Sequence, residues 1–314
     1  MNSYHIPVML TEVVDALQLQ PKQVVVDGTI GGGGHAREIL RRISPGGTLI
    51  GFDRDQNAID HVQATLGKDF STEQLHLIHD NFLHITQHAK RLSSLGNIHA
   101  ILLDLGISNS QIRDEGRGFS FKEVDAPLDM RMDVRQEKTA QYLVNSLPLE
   151  QLITILRNYG EEPNARRIAK AIVEQREQIP LTTVGDLLEC AYRGYSGRSK
   201  PRSHLATRTF QAFRIAVNEE LDLLKPALEE MIDILAIGGR LAVITFHSLE
   251  DRIVKQVFKK ASIDCICPSE LPECRCEHKA SVKRISKKPI IPTAEEIEQN
   301  PQSRSSKLRI IEKI

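Results

Sequence analysis

No run of eighteen apolar residues occurs anywhere in the 314-residue chain, which excludes a conventional membrane-spanning helix. The opening stretch, MNSYHIPVMLTEVVDAL, has neither the basic region nor the apolar region of a secretion signal. It reads as a short extended segment entering a helix near Thr11, so a cytoplasmic location with no membrane partner is expected. Net charge is absent as well: 41 Lys and Arg balance 41 Asp and Glu, and total charge does not point to nucleic acid. There is no internal repeat and no low-complexity segment. At this length the chain can bury a sizeable core and has room for two domains.

Acid is missing in two places. None stands between Glu189 and Glu219, where Arg193, Arg198, Lys200, Arg202, Arg208 and Arg214 are interleaved with Tyr192, Tyr195 and Phe210. A second acid-free stretch holds Lys279, Lys283, Arg284, Lys287 and Lys288. Basic stretches with aromatics suit a phosphate backbone and unstacked bases, although a solvated loop has the same composition. Cysteine is also sparse, with five in all. Four of them form Cys265-Ile-Cys267 and Cys274-Arg-Cys276, close to His278. Disulfides do not suit a cytosolic chain. The usual zinc-knuckle spacing is C-x-x-C rather than C-x-C, so a zinc site and a turn-rich loop with incidental thiols both stay open and no metal is assigned. Cys190, alone on an apolar helical face, reads as core.

What is present begins with VVVDGTIGGGGH at 24–35. Val24, Val25 and Val26 favour a buried strand. Gly31 to Gly34 belong where backbone passes close to something bulky. Ala36, Ile39, Leu40 and Ile43 then recur at helical spacing. Strand, glycine loop and helix make a cradle in which the helix N-terminus faces a ligand. A second short strand ends at Asp53, placed to accept hydrogen bonds from ribose hydroxyls. Asp55 fits the N-cap of the next helix. The pattern Gly31-x-Gly33-x-x-Ala36 also satisfies the dinucleotide fingerprint, which keeps a nicotinamide cofactor in view. An acid ahead of the glycines, Asp27, instead suits the cationic aminoacyl end of S-adenosylmethionine and has no comparable use beside a pyrophosphate.

Strand patterns continue at Leu75–Ile78 and Ala100–Leu105, and then stop. From about 112 to 208 the chain is polar, with helical stretches at Glu150–Asn158 and Ala165–Gln175. Alternation resumes with a helix at Leu221–Leu235 and a fifth strand ending at Phe246, while the final KLRIIEKI suits an edge strand. This implies a doubly wound, mostly parallel α/β sheet carrying an inserted helical domain. The expected bounds are 1–107 and 212–314 for the cofactor-binding domain and 108–211 for the insertion, which would recognise the substrate.

Several stretches are more specific than periodicity can explain: DGTIGGGGH at 27–35, DLGISNSQ at 104–111, RGFSF at 117–121 and APLDMRMD at 126–133. YGEE at 159–162, ATRTFQAFRIAVNEEL at 206–221, FHSLEDRIVK at 246–255 and SRSSKLR at 303–309 follow. Together, and essentially end to end, they resemble the bacterial 16S ribosomal RNA cytosine-N(4) methyltransferases, the MraW family. The resemblance implies a class I Rossmann-like S-adenosylmethionine-dependent methyltransferase fold. It also implies methylation of a cytidine in the decoding centre of the small ribosomal subunit, with 16S rRNA as partner and no protein partner. Carried over by motif, Gly33, Gly34 and His35 would line the aminoacyl side of the cofactor, and Asp53 would take the ribose. Phe82 would lie against the adenine, and Asp104 and Gln111 would complete the shell. Gly32, Ala36, Asn109-Ser110 and Leu205 depart from the family's commoner residues.

Methylating an exocyclic amine needs acceptors that polarise the amine, and close alignment with the donor. The Asn/Asp-Pro-Pro-aromatic tetrapeptide common after the fourth strand of amino-methyltransferases is missing, and that position reads DLGI. Asp104 is therefore the expected catalytic acceptor, with His247 as a second contact or, equally, a helix cap. No cysteine is placed for covalent attack on a ring carbon. A catalytically idle RNA-binding assembly factor would also use the basic stretches but would not need an intact cradle.

Overall fold

In the computed structural model, which describes residues 7–91, 97–107, 116–195, 202–268, 271 and 273–314, the valine run becomes β1 (Val24–Asp27), buried throughout. Ahead of it lies α1 (Leu10–Leu17), and after it come α2 (Gly34–Ile43), β2 (Thr48–Asp53), α3 (Gln56–Thr65), β3 (Leu75–His79), α4 (Ile85–Arg91) and β4 (Ile98–Asp104). A helical stretch follows, with α5 (Ala140–Ser146), α6 (Leu149–Asn158), α7 (Ala165–Arg176), α8 (Val184–Gly194) and α9 (Arg202–Asn218). The sheet pattern then returns as α10 (Leu224–Ile234), β5 (Leu235–Thr245), α11 (Ser248–Ala261), β6 (Val282–Arg284), α12 (Ala294–Gln299) and β7 (Lys307–Lys313). The chain divides into two units, Met1–Gly106 with Asp222–Ile314, and Ile107–Leu221. The second break falls after α9, since that helix runs unbroken through 211 and 212.

In the first unit the strand order is β3-β2-β1-β4-β5-β7-β6. β1 pairs in parallel with β2 and β4, β2 with β3, and β4 with β5, whereas β7 is antiparallel to both β5 and β6. Side chains alternate across the pleat. Val25, Leu49, Leu102 and Ile244 therefore pack with α1, α2 and α3 on one face, and Val26, Phe52, Leu103 and Val243 with α4, α10 and α11 on the other. Burial on both faces is why the central strands read as continuous apolar runs. The expectation that KLRIIEKI forms an edge strand is corrected: β7 lies inside the sheet, with Leu308 and Ile310 on one face and Ile311 on the other, all buried. The edge is β6, only three residues long and too short to show a pattern in sequence.

The second unit has its own core, built from Leu128, Leu152, Leu156, Ile168, Ile172, Leu187 and Phe213 among others. APLDMRMD is clasped to the end of α9. Asn218 Nδ2 donates to the Met130 carbonyl at 2.8 Å, and Met132 N donates to Asn218 Oδ1 at 2.8 Å. Asp129 holds Arg131 in a two-pronged ion pair, with both bonds 2.8 Å.

Candidate cofactor site

Three acids end three neighbouring parallel strands. Asp53, Asp27 and Asp104 close β2, β1 and β4 at the same edge of the sheet, where adjacent strands stand about 4.8 Å apart. Strand order reverses between β1 and β4, so Asp27 and Asp104 flank the switch point at which open α/β sheets bind ligands.

Local bonds fix these carboxylates. Thr29 N donates to Asp27 Oδ1 at 3.1 Å, and Asp104 N donates to Thr29 Oγ1 at 2.6 Å, so Thr29 ties the ends of β1 and β4 together. Gly31 N donates to Asp53 Oδ2 and Asp55 N to Asp53 Oδ1, both at 2.9 Å. Asp53 thus anchors the glycine loop, a role its position in the sequence does not disclose. Asp55 caps α3 through Asn57 N at 3.1 Å, as its position suggests.

The glycines serve different ends. Gly33, the N-cap of α2, has φ +78°, a left-handed conformation that a side chain strains. A Cβ on Gly34 would come within 3.0–3.1 Å of the Pro7 ring, so this glycine admits the segment ahead of α1. Gly28 was not foreseen as critical, yet a Cβ there would run into the side chains of Leu103, Phe82 and Ile85.

His35 is buried at the start of α2, with Nε2 3.0 Å from the Val8 carbonyl and Nδ1 3.8 Å from Asp104 Oδ2. Phe82 is buried beside Gly28, and the Arg54 guanidinium lies 5.7 Å from its ring centre. Arg54 is a contact the sequence reading missed; its only signal is its place directly after Asp53. Gln111 lies outside the described residues.

His247 is the N-cap of α11, in a capping box with Glu250. Its Nδ1 faces Glu250 N at 3.5 Å and its Nε2 lies 3.0 Å from Glu250 Oε1. The ring also borders a cavity of about 320 Å³ shared with Ser248, Arg304, Ser306 and Lys307. Glu250 is only 2 % exposed and accepts from Phe246 N at 3.0 Å and His247 N at 3.3 Å. It was not read from the sequence, where it looks like an ordinary first-turn acid.

The electrostatics follow from this crowding. Burial pushes the Asp27 carboxyl up to about 7, helped by the charge of Asp53 and opposed by the Thr29 N–H. Burial pushes Asp53 up to about 6 against the hydrogen bonds from Asp55 and Gly31. Asp104 is pushed well above the ordinary carboxylate range by burial and then by the charges of Asp27 and Glu250. Its Oδ1 is buried without a hydrogen-bond partner among the described residues. An unpaired buried acceptor in a cluster of like charges is costly, and a cation placed there would relieve it.

The acid-free stretch between Glu189 and Glu219 is not acid-free in space. Arg193 pairs with Glu174 at 2.9 Å and Arg214 with Glu220 at 2.8 Å. Tyr195 is buried with its hydroxyl on the Glu162 carboxylate at 2.6 Å, and Phe210 packs edge-on against Phe121 in the core of the second unit. The expectation that these two aromatics are displayed for bases is corrected: they are core residues. Arg198 and Lys200 lie outside the described residues.

The strand order, with β7 antiparallel to both neighbours and acids ending β1, β2 and β4 at the switch point, defines a class I S-adenosylmethionine-dependent methyltransferase fold. Residues 2–314 match the MraW methylase family, and the chain belongs to that family. It is 44% identical over 315 residues to the ribosomal RNA small subunit methyltransferase H of Clostridioides difficile (strain 630), covering all of both chains. It is 45% identical over 314 residues to the protein of the same name from Clostridium botulinum (strain Kyoto / Type A2), again over the whole of both. Among solved structures, an rRNA methylase from Streptococcus thermophilus aligns over 99% of each chain with 13% identity and a TM-score of 0.42.

The cofactor of this family and fold is S-adenosylmethionine, and the residues present fit it. The donor carries an ammonium and a sulfonium, and the switch point offers the buried Asp27 and the half-buried Asp104, whose Oδ1 has no hydrogen-bond partner among the described residues. A dinucleotide pyrophosphate would meet these same acids with charge of like sign.

Asp53→Ala is expected to weaken donor binding by about 1–3 kcal/mol, the usual cost of a lost charge-assisted hydrogen bond. Because Asp53 also holds Gly31, Asp53→Asn should recover part of that loss, since its amide oxygen can still accept from the loop. Calorimetry on both variants checks this; equal affinity in Asp53→Ala and the native chain would remove Asp53 from the site.

Proposed function

We propose that the chain transfers a methyl group from S-adenosylmethionine to the exocyclic N(4) amine of one cytidine of 16S rRNA, at the decoding centre within the small ribosomal subunit. The observation that carries the reading is Asp104 Oδ1 at the end of β4, buried and without a hydrogen-bond partner among the described residues. The full-length relatives named ribosomal RNA small subunit methyltransferase H support the choice of RNA. The bound donor supplies an electrophilic methyl group. Asp104 accepts a hydrogen bond from the amine and draws its lone pair out of conjugation with the ring. Its raised pKa suits it to take the proton the amine sheds once the new N–C bond has formed. Asp27 and Asp53 hold the donor by charge and by the ribose, while Phe82 and Arg54 frame the adenine. Glu250 and His247 set the loop after β5, His247 being a positioning residue or a second contact to the amine. The second unit, Ile107–Leu221, carries the substrate-recognition role, since the base must be taken out of its stack to reach the donor.

Tritiated methyl donor supplied with intact small subunits, naked 16S RNA, 23S RNA and tRNA tests the proposal. The label is expected in a single N(4)-methylated cytidine of 16S RNA, strongest with small subunits. Label on uridine, on the cytosine ring carbon or mainly on tRNA would overturn it.

A further inference from the structure

The four paired cysteines lie between the end of α11 and the start of β6, in a segment without helix or strand among its described residues. Its base is closed by bonds onto the end of α11 and onto Asp264 just beyond it. Ser281 N donates to the Ala261 carbonyl at 2.9 Å, and Ala280 N donates to Asp264 Oδ1 at 3.2 Å. His278 Nε2 lies 2.9 Å from the Lys260 carbonyl and ties this residue to the helix end, while the group of donor atoms that converges is the four sulfurs.

Beyond that base there is little to order the chain. Ile266 is 45% exposed and Leu271 44%, so apolar burial does not hold the tip. The sulfurs nevertheless converge: the Sγ atoms of Cys265, Cys267, Cys274 and Cys276 all lie within 4.8 Å of one another. Cys274 Sγ stands 3.6 Å from Cys276 Sγ, which stands 3.8 Å from Cys265 Sγ. A disulfide needs about 2.05 Å between sulfurs. Four thiolates at about 2.3 Å from a tetrahedral zinc ion stand about 3.8 Å apart. The separations match the second arrangement.

Backbone donors point at the same sulfurs. Cys267 N reaches Cys265 Sγ at 3.4 Å, Ile266 N reaches Cys276 Sγ at 3.4 Å, and Arg275 N reaches Cys267 Sγ at 3.3 Å. Such N–H groups offset the negative charge that four thiolates leave around one divalent cation. Cys267 N serves a sulfur of its own Cys-x-Cys pair, whereas Ile266 N and Arg275 N, each the middle residue of a pair, reach across to a sulfur of the other pair.

We infer that Cys265, Cys267, Cys274 and Cys276 form a closed structural site for one zinc ion that folds the loop between α11 and β6. This site is separate from the acids at the strand ends and does not depend on the methyl-transfer reading.

The test is elemental analysis of the native full-length chain, purified under reducing conditions without a metal-affinity step. About one zinc per chain is expected. Exchange with cobalt(II) should give the intense sulfur-to-cobalt charge-transfer and visible bands of a tetrahedral tetrathiolate. Stripping the metal with a chelator should open the 262–281 segment to protease at least about tenfold faster while the rest of the chain resists. In Cys265→Ser/Cys274→Ser the zinc content should fall to background. Less than about 0.1 zinc per native chain, cysteines paired as disulfides, an octahedral cobalt spectrum, or zinc retained in the double variant would each overturn the proposal.

Discussion

Asp104→Ala is expected to lower the rate of methyl transfer by about 10³-fold or more, and at the same time to make the donor-free protein harder to melt. The first effect combines two losses. An acceptor aimed at developing charge in a site that excludes water contributes about 10²–10³ in rate, and one carboxylate of the set that meets the donor's cation disappears with it. The second effect follows from crowding. Asp104 is half-buried, its Oδ1 is buried with no hydrogen-bond partner among the described residues, and Asp27 and Glu250 repel its charge. Removing a strained acid from an active site commonly trades activity for stability. A gain of about 1 kcal/mol would raise the melting temperature by roughly 2–4 °C in a chain of this size. Asp104→Asn separates the roles, because the amide keeps an acceptor oxygen without the charge. It should recover more of the rate at saturating donor than of the donor affinity. Single-turnover rates at saturating donor, calorimetric donor affinity and thermal melts measure the three quantities independently. A fully active Asp104→Ala, or one whose donor-free melting temperature drops, would remove Asp104 from the proposed role.

Donor affinity is expected to fall by about 10–100-fold between pH 7.5 and pH 5.5. The fold raises Asp27 from 3.8 to about 7 and Asp53 from 3.8 to about 6. Through this window the ligand-free protein therefore carries protons on groups that must be ionised to hold the donor, Asp27 by its charge and Asp53 as acceptor for the ribose, and binding must displace them. Each displaced proton contributes roughly tenfold in affinity per pH unit. Calorimetry in two buffers of different ionisation enthalpy should show net proton release near pH 6.5. The demethylated product, which lacks the sulfonium, should depend less steeply on pH. Stability without ligand runs the opposite way. These carboxyls have folded pKa values above their unfolded ones, so the folded chain binds more protons between about pH 4 and 7. Their contribution to stability is greatest at the low end of that window and declines as pH rises through it. The thermal upshift caused by donor should accordingly be larger at pH 8 than at pH 5.5. An affinity that is flat across this range would mean that these acids do not hold the donor.

How much of this was legible in the sequence depended on how locally each feature is encoded. The strands β1, β2 and β4 with their terminal acids, the glycine loop and the cap at Asp55 were readable because a strand's apolar run, a turn's glycines and a helix cap are each set by a few neighbouring residues. That Asp53, Asp27 and Asp104 share one edge followed from strand ends and the rules of parallel sheets. Other features depend on which distant segments pack together, and periodicity carries none of that. Gly28 is required by Leu103, Phe82 and Ile85, Gly34 by Pro7, and the raised pKa of Asp104 comes first from burial, then from Asp27, and then from Glu250, 146 residues further on. The same holds for Tyr195 and Phe210, whose basic surroundings in sequence resembled a displayed surface until burial against Glu162 and Phe121 placed them in a core. β7 entered the sheet rather than its edge because three residues at Val282–Arg284 found it as a partner. The cysteines make the same point: the sequence shows four thiols at an uncommon spacing, and only the folded loop brings their sulfurs within 4.8 Å of one another. Sequence determined the elements and the residue types at their ends, because those are local; tertiary structure decided burial, charge and convergence, because each is a sum over neighbours that the chain brings together only when it folds.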